Sequence, residues 1–217
     1  MRVRRWHLGA AVALCACGCV TGINQDTIRL QTFPAFEQYD RIRKVAVIPF
    51  MEYFVTRGET KSIMGIPERI TRDNGRILCD IFTAELRKRA SFKVVGPEAV
   101  AQFHMKRGEK IAGILLKKDI LRVGAALRAD ALVMGEVDKC STYRYRQHNN
   151  SKVSLRVRMA DTATGESFWQ GGIVIDDMGL PHEVATRGIT LLLDQLASRT
   201  RAARPKKDDS MKRLFKQ

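Results

Sequence analysis

Lys44 to Phe50 reads KVAVIPF, a run that is apolar at both alternating sets of positions. A strand with one solvated face alternates apolar with polar residues, whereas one covered on both faces reads as a continuous β-branched run. This segment therefore predicts a buried central strand, and the rest of the chain has to supply the elements that cover it.

The elements follow in a readable order. Ile77, Leu78, Ile81, Phe82 and Leu86 recur at helical spacing behind a capping candidate, Asp73, and the last turn carries Arg87, Lys88 and Arg89, suited to the negative end of the helix dipole. Phe92 to Val95 is a short strand, Gly96-Pro97 opens a short helix to about His104, and Ile114 to Leu127 is helical again. Ala131 starts a strand that runs toward Tyr145. Val153 to Met159 alternates apolar residues with Ser154, Arg156 and Arg158, the pattern of a half-buried antiparallel strand. Asp161 to Glu166 is a turn, Phe168 to Ile175 its hairpin partner, and His182 to Arg199 a final helix. Met51 to Ile70 reads as a long loop. The sum is an α/β fold: a single domain with a mixed sheet of about five strands and helices packed on it.

The N-terminus has a different logic. Arg2, Arg4 and Arg5 precede a short apolar run from Leu8 to Leu14, and small residues with Cys15, Cys17 and Cys19 follow. Positive region, apolar region and small-residue cleavage zone in that order make a secretory signal, too short for a spanning helix, which needs about 20 residues. Leu14-Cys15-Ala16-Cys17 fits a lipoprotein cleavage site best, with lipid on the Cys17 thiol; Ala16-Cys17-Gly18-Cys19 fits second, leaving Cys19 as the alternative. Neither Gly18 nor Val20 is the aspartate associated with inner-membrane retention, so the expectation is an outer-membrane protein facing the periplasm.

Four regions result: residues 1–19 as signal and lipidation zone, 20–43 as a tether or a segment draped on the domain, 44–199 as the α/β domain, and 200–217 as a disordered basic tail. The formal charge of +15 falls to about +12 once the signal arginines leave. A basic chain invites nucleic acid, but export argues against it and toward an acidic protein, or toward anionic lipid or peptidoglycan met by the basic tail. Cys79 and Cys140 are too few for a disulfide scaffold, and sequence leaves open whether they pair.

"SFKVVGPEAV", "LRADALVMGEVDKCSTY" and "VSLRVRMADTATGESFWQGG", in that order after KVAVIPF, are similar to the periplasmic domain shared by the curli-secretion lipoprotein CsgG, the lipoprotein activators of penicillin-binding proteins, and the N-terminal domain of TolB. Ala129-Asp130 matches an Ala-Asp pair before the third strand, and Asp161, Thr164, Gly165 and Glu166 match a turn between two strands. The resemblance spans roughly Lys44 to Ser198 and implies a TolB N-terminal-like fold, a lipid anchor and the binding of other envelope proteins. It departs where curli channels insert long amphipathic hairpins. Here Tyr143 to Lys152 is short and polar, and a barrel hairpin needs two strands of about 9–11 residues, so no pore is expected.

For catalysis the residues offer little. His104, His148 and His182 are far apart with no metal-ligand spacing, Cys79 sits among apolar residues, and no glycine loop cradles a phosphate, so neither cofactor nor metal is expected. Cys140, beside Lys139, is the better thiol nucleophile of the two. Arg156 and Arg158 share a strand face: either a solvated surface or a basic recognition strip continued by Arg144 and Arg146. Phe168-Trp169 reads as core with one exposed ring. The expected function is that of a non-catalytic lipoprotein that binds and helps assemble or regulate an envelope complex, of cell-wall-synthesis or secretion type. The alternative is an exported enzyme acting on cell-wall or lipid substrates.

Overall fold

The computed structural model describes residues 28–52, 60–61, 67–70, 73–105, 111–145 and 147–203. The signal, Cys17, Cys19, Arg146 and residues 204–217 of the tail lie outside these. In chain order the elements are β1 (Ile28–Thr32), a 3-10 segment (Pro34–Arg41), β2 (Lys44–Val47), β3 (Met51–Glu52), β4 (Thr60–Lys61), β5 (Pro67–Ile70), α1 (Asn74–Arg89), β6 (Lys93–Val95), α2 (Pro97–Met105), α3 (Lys117–Leu127), β7 (Ala131–Tyr145), β8 (His148–Asp161), β9 (Ser167–Met178) and α4 (Pro181–Ala203).

One mixed sheet runs β1-β9-β8-β7-β2-β6, with β3, β4 and β5 attached beside β7. β2 lies parallel to both β6 and β7, as strands joined by helical crossovers must, and β7, β8, β9 and β1 are antiparallel. The expected α/β domain is therefore present, with nine strands rather than about five. The additional ones are short or lie where the sequence lacks a strand pattern.

Strand alternation sorts the core into two layers. Val45, Val47, Ala131, Val133, Leu155, Val157 and Ile173 belong to the larger cluster, which α1 and α4 cover. Ala46, Ile48, Leu132 and Met134 belong to a smaller cluster on the opposite face, under α2 and α3. β2 is thus buried on both sides, the reason its sequence is apolar throughout. The second layer ends at β7 and at Ala160 of β8. Past that point the outer face of β8, β9 and β1 has no helix over it among the described residues.

Three expectations need correction. Residues 28–41, read as a tether or a segment draped on the domain, go further than either: β1 is a strand of the sheet, paired with β9 from Ile28↔Ile173 to Thr32↔Trp169. The 3-10 segment is pinned by rings, with Tyr39 against Phe36 at 5.5 Å, Phe92 at 5.7 Å and Phe168 at 6.2 Å. Phe168 and Trp169 are both buried, because a bulge pairs Met159 with Trp169 but Ala160 with Ser167, leaving Phe168 as the extra residue. Asp73 stands at the start of α1 but makes no side-chain cap, its backbone being left-handed at φ 57°.

α4 docks closely. A Cβ at Gly188 would lie 2.3 Å from Ile175 Cδ1, and one at Gly171 2.8 Å from Leu192 Cδ1, so glycine at both positions lets helix and sheet approach. A polar clamp joins α4 to α1. The buried Glu85 carboxylate takes Arg89 Nη1 at 2.6 Å and the Thr190 hydroxyl at 3.3 Å, while Arg89 Nε donates to Asp194 at 2.7 Å.

Candidate functional site

The bare outer half of the sheet is built by register. Across it lie the rows Gln31–Gln170–Arg158, Arg29–Gly172–Arg156–Glu136, Val174–Ser154–Lys139, Asp176–Lys152–Ser141 and Met178–Asn150–Tyr143. Directly opposed residues of antiparallel strands share a face, so all of these point away from the larger core. The surface is mixed. Val174 is 66% exposed and Met178 53%, among charges that are mostly paired to one another.

Arg156 is the best held of them. Its Nε and Nη2 donate to the two Asp138 oxygens at 3.0 and 2.7 Å, and Nη2 lies 3.2 Å from the buried Glu136. Such a fork onto a carboxylate fixes the guanidinium plane. Arg158 donates through Nε to the Ser167 hydroxyl. Farther along, Tyr143 donates to Asp176 at 2.7 Å and carries Lys152 Nζ 5.2 Å from its ring centroid.

The four arginines of the expected strip are not one surface. Arg156 and Arg158 share the outer face, but Arg144 pairs with Asn149, an odd position on β8 relative to Arg156, and so sits on the opposite face of the hairpin. Arg146 lies outside the described residues. The bulge between Val137 and Lys139 breaks simple counting along β7, and only the register reveals the split. Val174 and Met178 could have been found by extending the alternation of β9 through "GGIVIDDM", which leaves both on the polar side.

The thiols are not arranged for chemistry. Cys79 and Cys140 are free and buried. Burial pushes the Cys79 thiol up to about 12 and Cys140 up to about 11, the nearby Glu52 charge adding to the latter. Cys140, the better nucleophile by sequence, is thus buried in the core and, like Cys79, held toward the protonated thiol. Among the described residues no three His, Cys, Asp or Glu side chains gather as a metal-binding group, and no helix is long and apolar enough to cross a membrane.

The residues that carried the family resemblance do structural work. Asp130 Oδ2 accepts from the backbone N–H groups of Arg43 and Lys44, both at 2.8 Å, and so fixes the entry of β2 beside β7. Thr162 donates to the Ala129 carbonyl at 2.5 Å, tying the next turn to the same point. In that turn Asp161 Oδ1 accepts from the amides of Ala163 and Thr164 at 2.7 and 2.9 Å, and Gly165 takes the φ of +71° that closes it.

This arrangement defines a mixed-sheet α/β domain with helices on one whole face and half of the other. By sequence the chain matches no protein-family model and no curated protein. By structure it is similar to a point variant of the PelC dodecamer from Paraburkholderia phytofirmans, at 19% identity and a TM-score of 0.52, over 80% of this chain and 99% of that one. It is also similar to lipoprotein GNA1162 from Neisseria meningitidis (16% identity, TM-score 0.49, 72% of this chain and 99% of that one). The LpoB C-terminal domain from Escherichia coli matches at 11% identity and a TM-score of 0.41, over 61% of this chain and 82% of that one. At these identities the likeness is one of fold.

Proposed function

We propose that this chain is a lipid-anchored, non-catalytic protein of a bacterial outer membrane, facing the periplasm, that binds and helps assemble or regulate an envelope complex. The observation that carries this reading is the bare outer face of β1, β9 and β8. A sheet face that no helix covers among the described residues, carrying the exposed Val174 and Met178 among paired charges, is open to a partner, and its mixed polarity is compatible with a protein interface. The Asp138–Arg156–Glu136 group holds its cation in a fixed plane before any partner arrives, which lowers the ordering cost of docking. The signal and cysteine zone at residues 1–19 support the anchor and the compartment. The PelC fold, found in a dodecamer, supports an assembling role for a domain of this shape. Cell-wall synthesis and secretion are the two kinds of complex in view.

Two measurements test the reading. Acyl labelling should be abolished by Cys17→Ser; labelling that survives in Cys17→Ser and disappears in Cys19→Ser moves the anchor two residues on. A photo-crosslinking residue at Gln170 or Val174 in intact cells should give discrete adducts, with this chain itself or with another envelope protein. Adducts from an exposed control position on α4, such as Gln195, and none from β9 would remove the docking face.

A further inference from the structure

We infer that the outer face of β9 receives a carboxylate side chain of an acidic partner protein in a notch over Gly172, between Arg29 and Arg158, with Val174 as the apolar contact beside it. This rests on the reading of the outer sheet face as a docking surface, and adds the chemistry of the partner and the place where it is gripped.

Gly172 makes the first argument. A glycine inside a strand weakens it, through chain entropy and the missing side chain, and often marks a bulge or a close approach by a ligand or another backbone. The bulge of this strand pair lies elsewhere, at Phe168, and Gly172 sits in unbroken pairing between Arg29 and Arg156. Its neighbour Gly171 has a packing reason, since a Cβ there would meet Leu192 and Trp169 at 2.8 and 2.9 Å. Gly172 faces the other way. Among the described residues a Cβ on it would meet the Leu155 carbonyl oxygen at 3.3 Å and Arg156 Cγ at 3.8 Å, and nothing nearer. No helix approaches it, so packing within the domain does not require glycine there as it does at Gly171. What remains is a notch in the side-chain layer, walled by Arg29 on β1 and Arg156 on β8.

Charge makes the second argument. The carboxylates of this face have their own cations: Asp138 and Glu136 take Arg156 at 2.7 and 3.2 Å, and Asp176 takes Lys152 at 3.4 Å. Arg29 and Arg158 are left over. Arg29 is exposed and forms no ion pair among the described residues, and Arg158 donates to the neutral Ser167 hydroxyl. They stand on adjacent rows of the register, on the two strands that flank β9, with Cα atoms about 12 Å apart by strand geometry. A carboxylate over Gly172 lies between them and gains charge-assisted hydrogen bonds with no acid of this chain competing.

The mixed pattern favours a protein over a lipid surface or an anionic glycan. Either of those would press negative charge against Glu136, Asp138 and Asp176 as well as against the arginines. A protein can set a carboxylate at the notch and other residues opposite the acids. Val174, two residues along β9 on the same face and 66% exposed, supplies the apolar contact such a surface would cover.

The test is a charge swap on the full chain in intact cells, with a photo-crosslinking residue at Gln170, one row from the notch. Arg29→Glu should lower the adduct roughly tenfold or more, whereas Lys93→Glu, the same charge change on the opposite edge strand, should leave it unchanged. Gly172→Val fills the notch and should act like Arg29→Glu; the latter, at an exposed residue with no ion pair to lose, keeps the test independent of any folding cost at 172. Mass spectrometry then identifies the contacted peptide, and replacing its Asp or Glu by Lys should restore the adduct of Arg29→Glu. A crosslink that survives Arg29→Glu, or that joins this chain to itself, would overturn the carboxylate site and leave the docking face standing. A crosslink to lipid or glycan, or none from β9, would remove both.

Discussion

β8 and β9 present two faces built from alternate residues of the same two strands, and the faces obey different rules. Toward α1 and α4 stand Leu155, Val157, Trp169, Ile173 and Ile175, each exposed by 8% or less. Away from them stand Ser154, Arg156 and Asp176, held by hydrogen bonds and ion pairs that water can reach, with Gln170 and the apolar Val174 on the same face. The inner face determines whether the domain folds. The outer face contributes less to folding, and what it carries is therefore the better guide to what the domain meets.

The largest expected effect belongs to the inner face. Trp169→Ala should cost about 3–5 kcal/mol and Leu155→Ala about 2–5 kcal/mol, because each leaves a cavity between sheet and α4. Gln170→Ala, one residue from Trp169 on the other face, should stay within about 0.5 kcal/mol. Urea unfolding measures all three, and a Leu155→Ala cost close to that of Gln170→Ala would end the distinction between the faces.

The second measurement reads the inner face without mutation. With thiols pushed up to about 12 and about 11 by burial, Cys79 and Cys140 hold almost no thiolate at pH 8 in the folded chain. Alkylation by iodoacetamide should be slower than in urea by roughly a hundredfold or more, since it requires opening of the α1 side. Rapid labelling of Cys140 in the native protein would show that β7 is accessible there.

A third prediction concerns the clamp that holds the two covering helices together. The Lys88 hydrogen bond, with that from Arg89, holds the Glu85 carboxyl below its usual range against the opposing effect of burial. A depressed carboxyl contributes stability above its unfolded value, near pH 4.3, and loses it as pH falls through the folded value. Glu85→Gln should therefore cost about 1–2 kcal/mol at pH 7, with the difference from wild type shrinking in acid. A difference that stays constant from pH 7 down to pH 3 would mean that the charge of Glu85 contributes nothing.

How much of this could be read beforehand differs between the two faces. KVAVIPF, the helix after Asp73, and the alternation of Val153 to Met159 report burial, and burial leaves a periodic mark; those elements were legible, as was the α/β class. β1 was not, because Ile28–Thr32 is a short edge strand whose apolar residues are interrupted early by Pro34, and its place depends on pairing with residues far along the chain. The bulges at Val137/Lys139 and at Met159/Ala160 were equally hidden, and they decide which arginines share a face and why Trp169 is not exposed. A one-residue slip reverses every side chain beyond it, so a surface strip counted from sequence fails at the first bulge.

The smallest expected effect is the most informative about the outer face. Val174 is 66% exposed, flanked across the strands by Ser154, and belongs to neither core cluster. Val174→Ser removes two methyl groups from a site that is largely in water already, so little transfer free energy is at stake, and the change should fall within about 0.5 kcal/mol by urea unfolding. Arg156→Ala is a poorer probe, because it would remove the cation 3.2 Å from the buried Glu136 and mix a folding cost into any docking result. If the face docks an envelope protein, Val174→Ser should leave stability intact and reduce the yield of the Gln170 crosslink several-fold, a loss that folding does not explain. A cost above about 1 kcal/mol would instead mean that Val174 is covered within the chain itself, and the docking face would have to be sought elsewhere on the sheet.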